Sequence, residues 1–417
     1  MSFDPSSAQA NLAALNDQTM AIEFASISQR VRKRRLVLYF GRETFSDNTK
    51  YLYLSDIARK RSYEVMWCSF SSQLVSSLAA RGLPCIDLSQ NVDRSIDLLL
   101  HAAVAVFSVN PNESLRGAYA LNACLAGAKK IQLWHGISVK HLVLELIPHL
   151  TLRNSEIRRP FYMASQTDYV LSTSSFFDRY WSGVFGCKNI LRAGFPRNEV
   201  LLRPIKPFDT IGCEYDMDLD MSLSARRKNV LVLPTWQRGQ ETYLMTPRFL
   251  QTLTAIAQRE NINFVLKMHP MYKLVGADTI RQGEGFTFID AGVDVYPLLQ
   301  RFDALVTDYS SIMFDFLLTG KPVLTLDFSD KPHQNFEPDF SLVPDLPYRH
   351  VFTPDTFIEQ LGKALYRDEL RSERAIMAST IFQTDPTQAS NQILEFIDQL
   401  VDEREASDGE FVVHGRG

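Results

Sequence analysis

The sequence contains few cysteines, and they follow no recognisable pattern. Only 5 of the 417 residues are cysteine, and none of them belongs to a C-x-x-C pair. An odd number of widely spaced cysteines fits neither a disulfide framework nor a thiolate zinc site. We therefore expect a protein without a cysteine-bound metal that folds in a reducing compartment.

Long apolar runs are also absent. No stretch of about 18 apolar residues occurs, so no membrane-spanning helix is expected. The first residues show no basic segment followed by an apolar core, which a secretory signal peptide would have. Together these absences predict a cytoplasmic protein.

Neither sign of charge dominates the sequence. The 44 Lys and Arg residues nearly balance the 48 Asp and Glu residues, and the formal net charge is -4. This balance disfavours a protein whose whole surface binds nucleic acid. At about 150 residues per domain, the length predicts two or three domains, with cores large enough to fold without disulfides.

Short apolar runs, each typical of a buried strand, alternate with stretches of helix-like spacing. This alternation predicts an α/β fold with two Rossmann-like domains, each built on a parallel sheet, that face a cleft. The first series of runs covers 36–40, 64–70, 103–107, 130–134 and 168–172, and the second covers 229–233, 263–268, 303–307 and 322–328.

The same pattern suggests domain boundaries. We expect a helical and basic segment at 1–35, an N-terminal domain at 36–205, a linker at 206–228, a C-terminal domain at 229–402 and a polar tail at 403–417. Open α/β sheets bind ligands beyond the carboxyl ends of their strands. Site residues should therefore lie in the loops that follow the apolar runs.

The first candidate is a histidine at the end of a predicted strand. His135 follows Trp134 and precedes Gly136, which allows a sharp turn and the close approach of a ligand. An imidazole titrates near neutral pH and suits a general base. A structural histidine that is hydrogen-bonded beside a packed tryptophan is an equally good interpretation.

A second histidine ends a strand of the other predicted domain. His269 is followed by Pro270, which ends the strand and fixes the loop. Lys267 could direct a positive charge toward a phosphate, or it could be a solvated lysine. Two strand-end histidines, one from each domain, would face the same cleft.

A third candidate lies where a strand runs into an apolar helix. Thr307, Asp308, Ser310 and Ser311 occupy this junction, and either Asp308 or Ser310 is predicted to cap the helix. The backbone N–H groups of Ser310 and Ser311 would then form an anion site suited to phosphate or diphosphate. A well-capped buried helix is the alternative.

Basic residues accompany these loops. Arg197 follows a further predicted strand at 189–193, and Arg238 follows the run 229–233. Both could bind phosphate in bidentate fashion, although either could be an ordinary surface arginine. Five cations lie within the six residues 30–35. The alternating carboxylates at 216–220 lack the glycine and glutamate of a calcium loop, and we interpret them as a solvated acidic loop.

Taken together, these residues resemble the CDP-glycerol glycerophosphotransferase family, the enzymes that polymerise teichoic-acid and capsule backbones. The matching segments cover most of the chain from about 36 to 330. In the family's order they are Phe45 to Leu52 with Asn48 and Lys50, Trp134-His135-Gly136 with Lys140, Asp168 to Ser172, Gly194 to Asn198 with Arg197, Pro234-Thr235-Trp236, His269-Pro270, and Thr307 to Ser311 with Asp315, Lys321 and Pro322.

The resemblance implies a GT-B architecture, in which the C-terminal domain holds the nucleotide and the N-terminal domain holds the acceptor. It also implies transfer of a polyol phosphate from CDP-glycerol or CDP-ribitol to an acceptor hydroxyl, with release of CMP. It does not firmly imply any cofactor. His135 would be the base, and His269, Ser310 and Ser311 would hold the diphosphate. Further donor contacts would come from Thr235, Arg238, Thr307 and Asp308, and the acceptor side or its support from Asn48, Gly136, Lys140 and Arg197.

The resemblance further implies a lipid-linked or oligosaccharide acceptor. The basic run 30–35 would then bind an anionic membrane surface, with about 1 kcal/mol from each cation, unless it is only a charged helix end. No nucleic-acid partner is expected. Two alternatives are a nucleotide-sugar-dependent GT-B glycosyltransferase and a non-catalytic polymer-binding assembly protein.

Overall fold

The computed structural model describes residues 5–42, 44–139, 166–215, 217–224, 227–235, 242–267, 286–328 and 338–413. The chain divides into two compact units, and each contains one parallel β-sheet. The first unit comprises Met1–His135, Leu142–Arg197 and Thr384–Gly417, and the second comprises Gly136–His141 and Asn198–Gln383.

The first unit is built on a sheet of seven parallel strands in the order β3-β2-β1-β4-β5-β6-β7. The strands are β1 Leu36–Phe40, β2 Glu64–Ser69, β3 Cys85–Asp87, β4 Val104–Phe107, β5 Lys129–Gln132, β6 Tyr169–Ser172 and β7 Asn189–Arg192. The helices of this part of the chain are α1 Pro5–Arg30, α2 Asp47–Ala58, α3 Ser72–Ala80, α4 Val92–His101, α5 Pro111–Ser114, α6 Tyr119–Ala123 and α7 Asp178–Phe185.

The core of this unit forms where β1 and β4 pair. Every residue of β1 is buried, and the ring of Phe40 stacks on that of Phe107 with centroids 4.7 Å apart. Strands buried on both faces are apolar throughout rather than alternating. The sequence shows such continuous runs at both strands, which is why both could be predicted.

The second unit contains six parallel strands in the order β10-β9-β8-β11-β12-β13. They are β8 Lys228–Leu233, β9 Ile262–Lys267, β10 Phe286–Ile289, β11 Ala304–Thr307, β12 Val323–Leu326 and β13 His350–Phe352. Its helices are α8 Met217–Ser224, α9 Pro247–Glu260, α10 Ile312–Phe316, α11 Phe357–Tyr366 and α12 Arg371–Ile381.

Both sheets confirm the predicted α/β class of the GT-B type. Counted from the first strand of each unit, both follow the order 3-2-1-4-5-6 of Rossmann folds, and the first adds one more strand. Three strands were not predicted: β3, β10 and β13. All three are edge strands of three or four residues, too short to give a periodic signal.

The end of the chain differs from the expected division into a C-terminal domain up to residue 402 and a polar tail from 403 to 417. It forms a long helix, α13 Ala389–Val413, and this segment belongs to the first unit. Arg59 at the end of α2 pairs with Asp398 on α13 at 2.8 Å, and the ring of Phe396 packs on that of Tyr169 at 4.8 Å. Contacts so distant in sequence leave no local signal, so the return of the chain to the first unit could not be predicted.

The expected linker is also more ordered than its composition suggests. It contains a 3₁₀ helix, Pro207–Thr210, and the helix α8, and β8 begins at its end. Asp218 and Asp220 therefore lie on a helix and not in an acidic loop. Asp220 pairs with Arg301 at 2.7 Å, which gives this carboxylate a role within the unit.

Candidate functional site

The predicted base, His135, follows a strand that ends earlier than expected. The strand β5 ends at Gln132 because Trp134 adopts a φ of 56°, a left-handed conformation rare for a bulky residue. The Trp134 ring packs against Phe185 with centroids 5.2 Å apart. The chain thus turns sharply at the carboxyl edge of the first sheet, where His135 begins the loop.

Two buried side-chain amides hold this turn. The amide oxygen of Gln132 accepts a hydrogen bond from the N–H of Trp134 at 3.0 Å, and its amide nitrogen donates to the carbonyl of Val109 at 2.9 Å. Asn48 donates to the carbonyl of Trp134 at 2.7 Å. Both polar groups of the Trp134 backbone are therefore bonded to side chains that are wholly buried.

The imidazole of His135 is half-buried between an aromatic ring and a cation. Its ring centroid lies 4.1 Å from that of Trp134. Its Nε2 lies 3.5 Å from a guanidinium nitrogen of Arg42, which follows β1. The adjacent Gly136 has a φ of 130°, a value that favours glycine over any other residue.

Arg197 supports the same corner of the first unit. Its backbone N–H donates to the amide oxygen of Asn48 at 3.4 Å, and its guanidinium pairs with Asp47 at 2.7 Å. Only 3% of the Arg197 side chain is exposed. This arrangement fits the predicted supporting role better than direct binding of a substrate phosphate.

Three of the predicted residues are thus brought together: Asn48, His135 and Arg197. Sequence reasoning did not single out Arg42, although its position two residues after β1 is the signal that could have identified it. Lys50 was predicted as part of a family segment but was given no role in the site. Lys50 is wholly buried, and its Nζ lies 4.6 Å from the centroid of the Tyr51 ring.

In the second unit, the predicted phosphate residues tie two strand ends together. Asp308 is wholly buried and accepts hydrogen bonds from the N–H of Thr235 at 2.9 Å, from the Thr235 hydroxyl, and from the N–H of Tyr309 at 2.7 Å. The Thr307 hydroxyl donates to the carbonyl of Leu233 at 2.6 Å. These contacts join the end of β8 to the end of β11.

The predicted helix cap at this junction is wrong. The helix α10 is only five residues long, and Ser311 precedes it without a capping hydrogen bond from its side chain. Asp308 does not cap it because its carboxylate is engaged by Thr235 and Tyr309. Ser310 and Ser311 are half-buried.

Other residues of the matching segments are bonded within the second unit. Asp315 accepts from Asn198 at 3.0 Å and from the hydroxyl of Tyr296 at 2.6 Å. The ammonium of Lys321 donates to two backbone carbonyls at 2.6 Å. Both side chains therefore stabilise the fold of this unit.

Lys267 likewise forms a hydrogen bond to the backbone, so it is not the solvated lysine that was one of its two predicted roles. Its Nζ donates to the carbonyl of Ala291 at 2.7 Å. Burial disfavours the charged ammonium and lowers the pKa of Lys267 to about 8, against the raising effect of Asp294 and Asp290. His269, Arg238 and Lys140, which were also predicted as site residues, lie outside the described residues.

Three cations of the basic run 30–35 form hydrogen bonds or ion pairs with other parts of the first unit. Lys33 donates to the carbonyl of Leu100 at 2.5 Å, Arg34 pairs with Asp97 at 2.8 Å, and Arg35 pairs with Asp402 at 2.7 Å. Together with His101, Ala103 and Val401, residues 31–35 line a cavity of about 560 Å³. The run is therefore not a uniformly free basic surface.

Two further properties concern the described part of the chain alone. None of its helices combines the length and apolar character needed to cross a membrane. Among the same residues, no group of three or more His, Cys, Asp or Glu side chains could hold a metal ion.

Comparison with known proteins identifies similar sequences. A sequence model of the family CDP-glycerol:poly(glycerophosphate) glycerophosphotransferase matches residues 22–399. The chain is 24% identical over 317 residues to a teichoic acid poly(glycerol phosphate) polymerase of Bacillus subtilis (strain 168). The aligned region covers 72% of this chain and 40% of the polymerase. It is also 24% identical over 287 residues to a teichoic acid glycerol-phosphate primase of the same organism. That aligned region covers 66% of this chain and 68% of the primase.

The fold also resembles that of a solved structure. The wall teichoic acid polymerase TagF superposes with a TM-score of 0.67 at 19% identity, and the match covers 97% of this chain and 100% of that chain. At this identity the likeness concerns the fold alone. The match to the B. subtilis polymerase spans less than half of that relative's length.

Proposed function

The chain belongs to the CDP-glycerol:poly(glycerophosphate) glycerophosphotransferase family, and from this premise we propose that it transfers a polyol-phosphate unit from a CDP-linked donor to a polymer acceptor. Glycerol phosphate is the expected unit, and ribitol phosphate is the related candidate. The polymer would be of the teichoic-acid or capsule type. In the reaction, the acceptor oxygen forms a bond to the β-phosphorus while the bond from that phosphorus to the bridging oxygen breaks, and CMP leaves.

His135 is proposed as the general base that takes the proton of the acceptor hydroxyl. The observation that carries this role is its position at the carboxyl edge of the first sheet, directly after a turn held by Gln132 and Asn48. A base must be held within hydrogen-bond reach of the proton that it removes. Arg42, 3.5 Å from the imidazole, adds a cation that suits an anionic acceptor.

The donor diphosphate is proposed to bind residues of the second unit. The hydroxyl and N–H groups of Ser310 and Ser311 would donate to its oxygens as negative charge develops on the departing CMP. Asp308, Thr307 and Thr235 would act indirectly, since their hydrogen bonds hold the two strand ends from which these groups project. His269 completes the proposed donor set on the strength of the family motif alone, and Arg238 on that of its place in the sequence after the run 229–233.

The acceptor is proposed to be lipid-linked, so that the protein works at an anionic membrane surface. Arg30 and Arg32 are the exposed cations of the basic run that form no ion pair with a carboxylate of the described residues. At about 1 kcal/mol for each, two such cations would give salt-sensitive adhesion weaker than five would.

Vesicle sedimentation tests the membrane proposal. Binding to vesicles with anionic lipid should fall by about tenfold or more in a variant carrying both Arg30→Gln and Arg32→Gln, because about 1.4 kcal/mol corresponds to a factor of ten. Arg81→Gln, an exposed arginine at the end of α3, is the matched control. Equal sedimentation of all three proteins would contradict the proposal.

The experiment that tests the function is a donor screen. CDP-glycerol and CDP-ribitol are incubated with the protein and with lipid-linked or oligosaccharide acceptors, and release of CMP is measured. The proposal predicts CMP release that depends on an acceptor. Turnover of a UDP-sugar without CMP release would instead indicate a glycosyltransferase, and inactivity toward every donor would indicate a polymer-binding protein.

A further inference from the structure

The backbone of Trp134 has a conformation that its own side chain disfavours. Its φ of 56° lies in the left-handed region, where a bulky residue persists only if its surroundings hold it there. Trp134 is 6% exposed, and its indole ring lies close to the rings of Phe185 and Trp181. The ring is thus fixed, but ring packing alone does not dictate the direction of the next residue.

That direction depends on the Trp134 peptide groups. Gln132 accepts from the N–H of Trp134, and Asn48 donates to its carbonyl, at 3.0 and 2.7 Å. The other end of the Gln132 amide is fixed by the carbonyl of Val109 at 2.9 Å. With no freedom left at either end, the Gln132 side chain connects the loop after β4 to the peptide that precedes His135.

We propose that Gln132 is a positioning residue for His135 and that it acts through the backbone of Trp134. This inference rests on the proposed function, in which His135 is the base. Without the acceptor oxygen of Gln132, the buried N–H of Trp134 would lose its partner, and the residue would relax toward an ordinary negative φ. The imidazole, which packs 4.1 Å from the same indole, would then leave its position.

Gln132→Met tests this relation because methionine keeps the length of the side chain and removes the amide. We expect kcat for CMP release to fall by about 10- to 100-fold, since a small misplacement of a reacting group can cost about that much. The KM for CDP-glycerol should change little. Gln132→Glu keeps an acceptor oxygen for the Trp134 N–H but loses the amide donor to the carbonyl of Val109, so it should recover only part of the lost kcat.

The matched control is Asn263→Leu in the second unit. Asn263 is 1% exposed, and its amide donates to the side chain of Asn229 at 2.9 Å. Its replacement also breaks the hydrogen bonds of a buried amide. Asn263, however, lies in a different unit of the chain from the turn before His135. An equal loss of kcat in Asn263→Leu would show a general effect of destabilisation and would overturn the inference.

A double-mutant cycle separates positioning from structural damage. If Gln132 acts through His135, Gln132→Met should cause no further loss of residual activity once His135 is replaced by alanine. If Gln132→Met lowered activity by the same factor in the native protein and in His135→Ala, the proposal would be contradicted.

A second readout does not require turnover. The imidazole signals of His135 in an NMR spectrum, assigned by their absence in His135→Ala, should shift in Gln132→Met, shift less in Gln132→Glu and stay unchanged in Asn263→Leu. Unchanged His135 signals in Gln132→Met would overturn the inference. Because this measurement needs no substrate, absence of CMP release in the native protein would count against the proposed function and not against the positioning role.

Discussion

The guanidinium of Arg42 lies 3.5 Å from Nε2 of His135. Among the described residues, its other partner is the carboxylate of Glu113, at 3.9 Å, and both contacts are long for hydrogen bonds. Because 44% of its side chain is exposed, the Arg42 guanidinium can turn toward an anion and lose only these two long contacts of the described residues. It therefore offers a cation to an acceptor phosphate at the place where we propose that the acceptor hydroxyl loses its proton.

Arg42→Gln should raise the KM for a poly(glycerol phosphate) acceptor by about tenfold, a loss of about 1.4 kcal/mol, and change kcat little. The rise of this KM with added salt should also become shallower, because one contact with a phosphate is lost. Initial rates of CMP release against acceptor concentration at two ionic strengths measure both effects. Arg81→Gln serves as the control, and an increased KM for CDP-glycerol instead would place the cation on the donor.

Asp308→Asn should weaken the second unit and its binding of the donor together. The carboxylate accepts from Thr235 and Tyr309, and an amide nitrogen in its place cannot accept. Hydrogen bonds to a charged group contribute about 1.5–3 kcal/mol, so a loss of unfolding free energy in that range is expected. Urea denaturation and the KM for CDP-glycerol measure the two effects, with the exposed Asp345→Asn as control. A stable variant with an unchanged KM would refute the role of Asp308.

Arg59→Met should destabilise the first unit strongly. The guanidinium pairs with the wholly buried Asp56 at 3.1 Å and with Asp398 on α13 at 2.8 Å. Its removal leaves a buried carboxylate without its cation, which costs about 3–5 kcal/mol.

The control for Arg59→Met is Asp402→Asn, which breaks the exposed pair of α13 with Arg35. Exposed ion pairs contribute about 0–1 kcal/mol, so this variant should unfold almost as the native protein does. Thermal unfolding measures both variants. Similar losses in the two would mean that the buried carboxylate does not anchor the C-terminal helix.

The pKa of Lys267, lowered by burial to about 8, predicts a pH-dependent stability. An unfolded lysine titrates near 10.4, so between about pH 8 and 10 the unfolded chain binds more protons at this position than the folded chain does. The contribution of Lys267 to the unfolding free energy therefore rises with pH in this window, by at most about 1.4 kcal/mol per pH unit.

Lys267→Met removes this titration. The unfolding free energy of the variant minus that of the native protein should fall as the pH rises from about 8 to 10. Urea denaturation at several pH values provides the measurement. A difference that does not change with pH would mean that Lys267 titrates alike in the folded and unfolded chain.

The central strands of both sheets could be predicted because burial on both faces requires continuous apolar runs. The run at β1 matches the observed strand, Leu36–Phe40, residue for residue. The edge strand β13 could not be found, because its three residues give no periodic signal. The helix α13 shows a second limit: Asp398 was expected in the C-terminal domain 229–402, but it is held by Arg59 of the first unit, more than three hundred positions away.

The candidate site could be predicted in its residues better than in their roles. Strand-end positions identified His135 and Arg197, and the family resemblance added Asn48; the first unit brings the three together. The apolar character of Leu133 and Trp134 suggested that the strand continues, but the positive φ of Trp134 ends it two residues earlier. Asp308 was predicted as a helix cap because carboxylates cap helices. Its actual partner, Thr235, is distant in sequence and could be identified only from the structure.

The measurement that tests the central claim most directly is CMP release by His135→Ala, with binding of CDP-glycerol measured on the same protein. General bases contribute about 10²–10⁴-fold, so acceptor-dependent CMP release should fall by at least about 10²-fold. CDP-glycerol should bind with a Kd close to that of the native protein, because the donor is assigned to the other unit. Near-native turnover in His135→Ala would contradict the account.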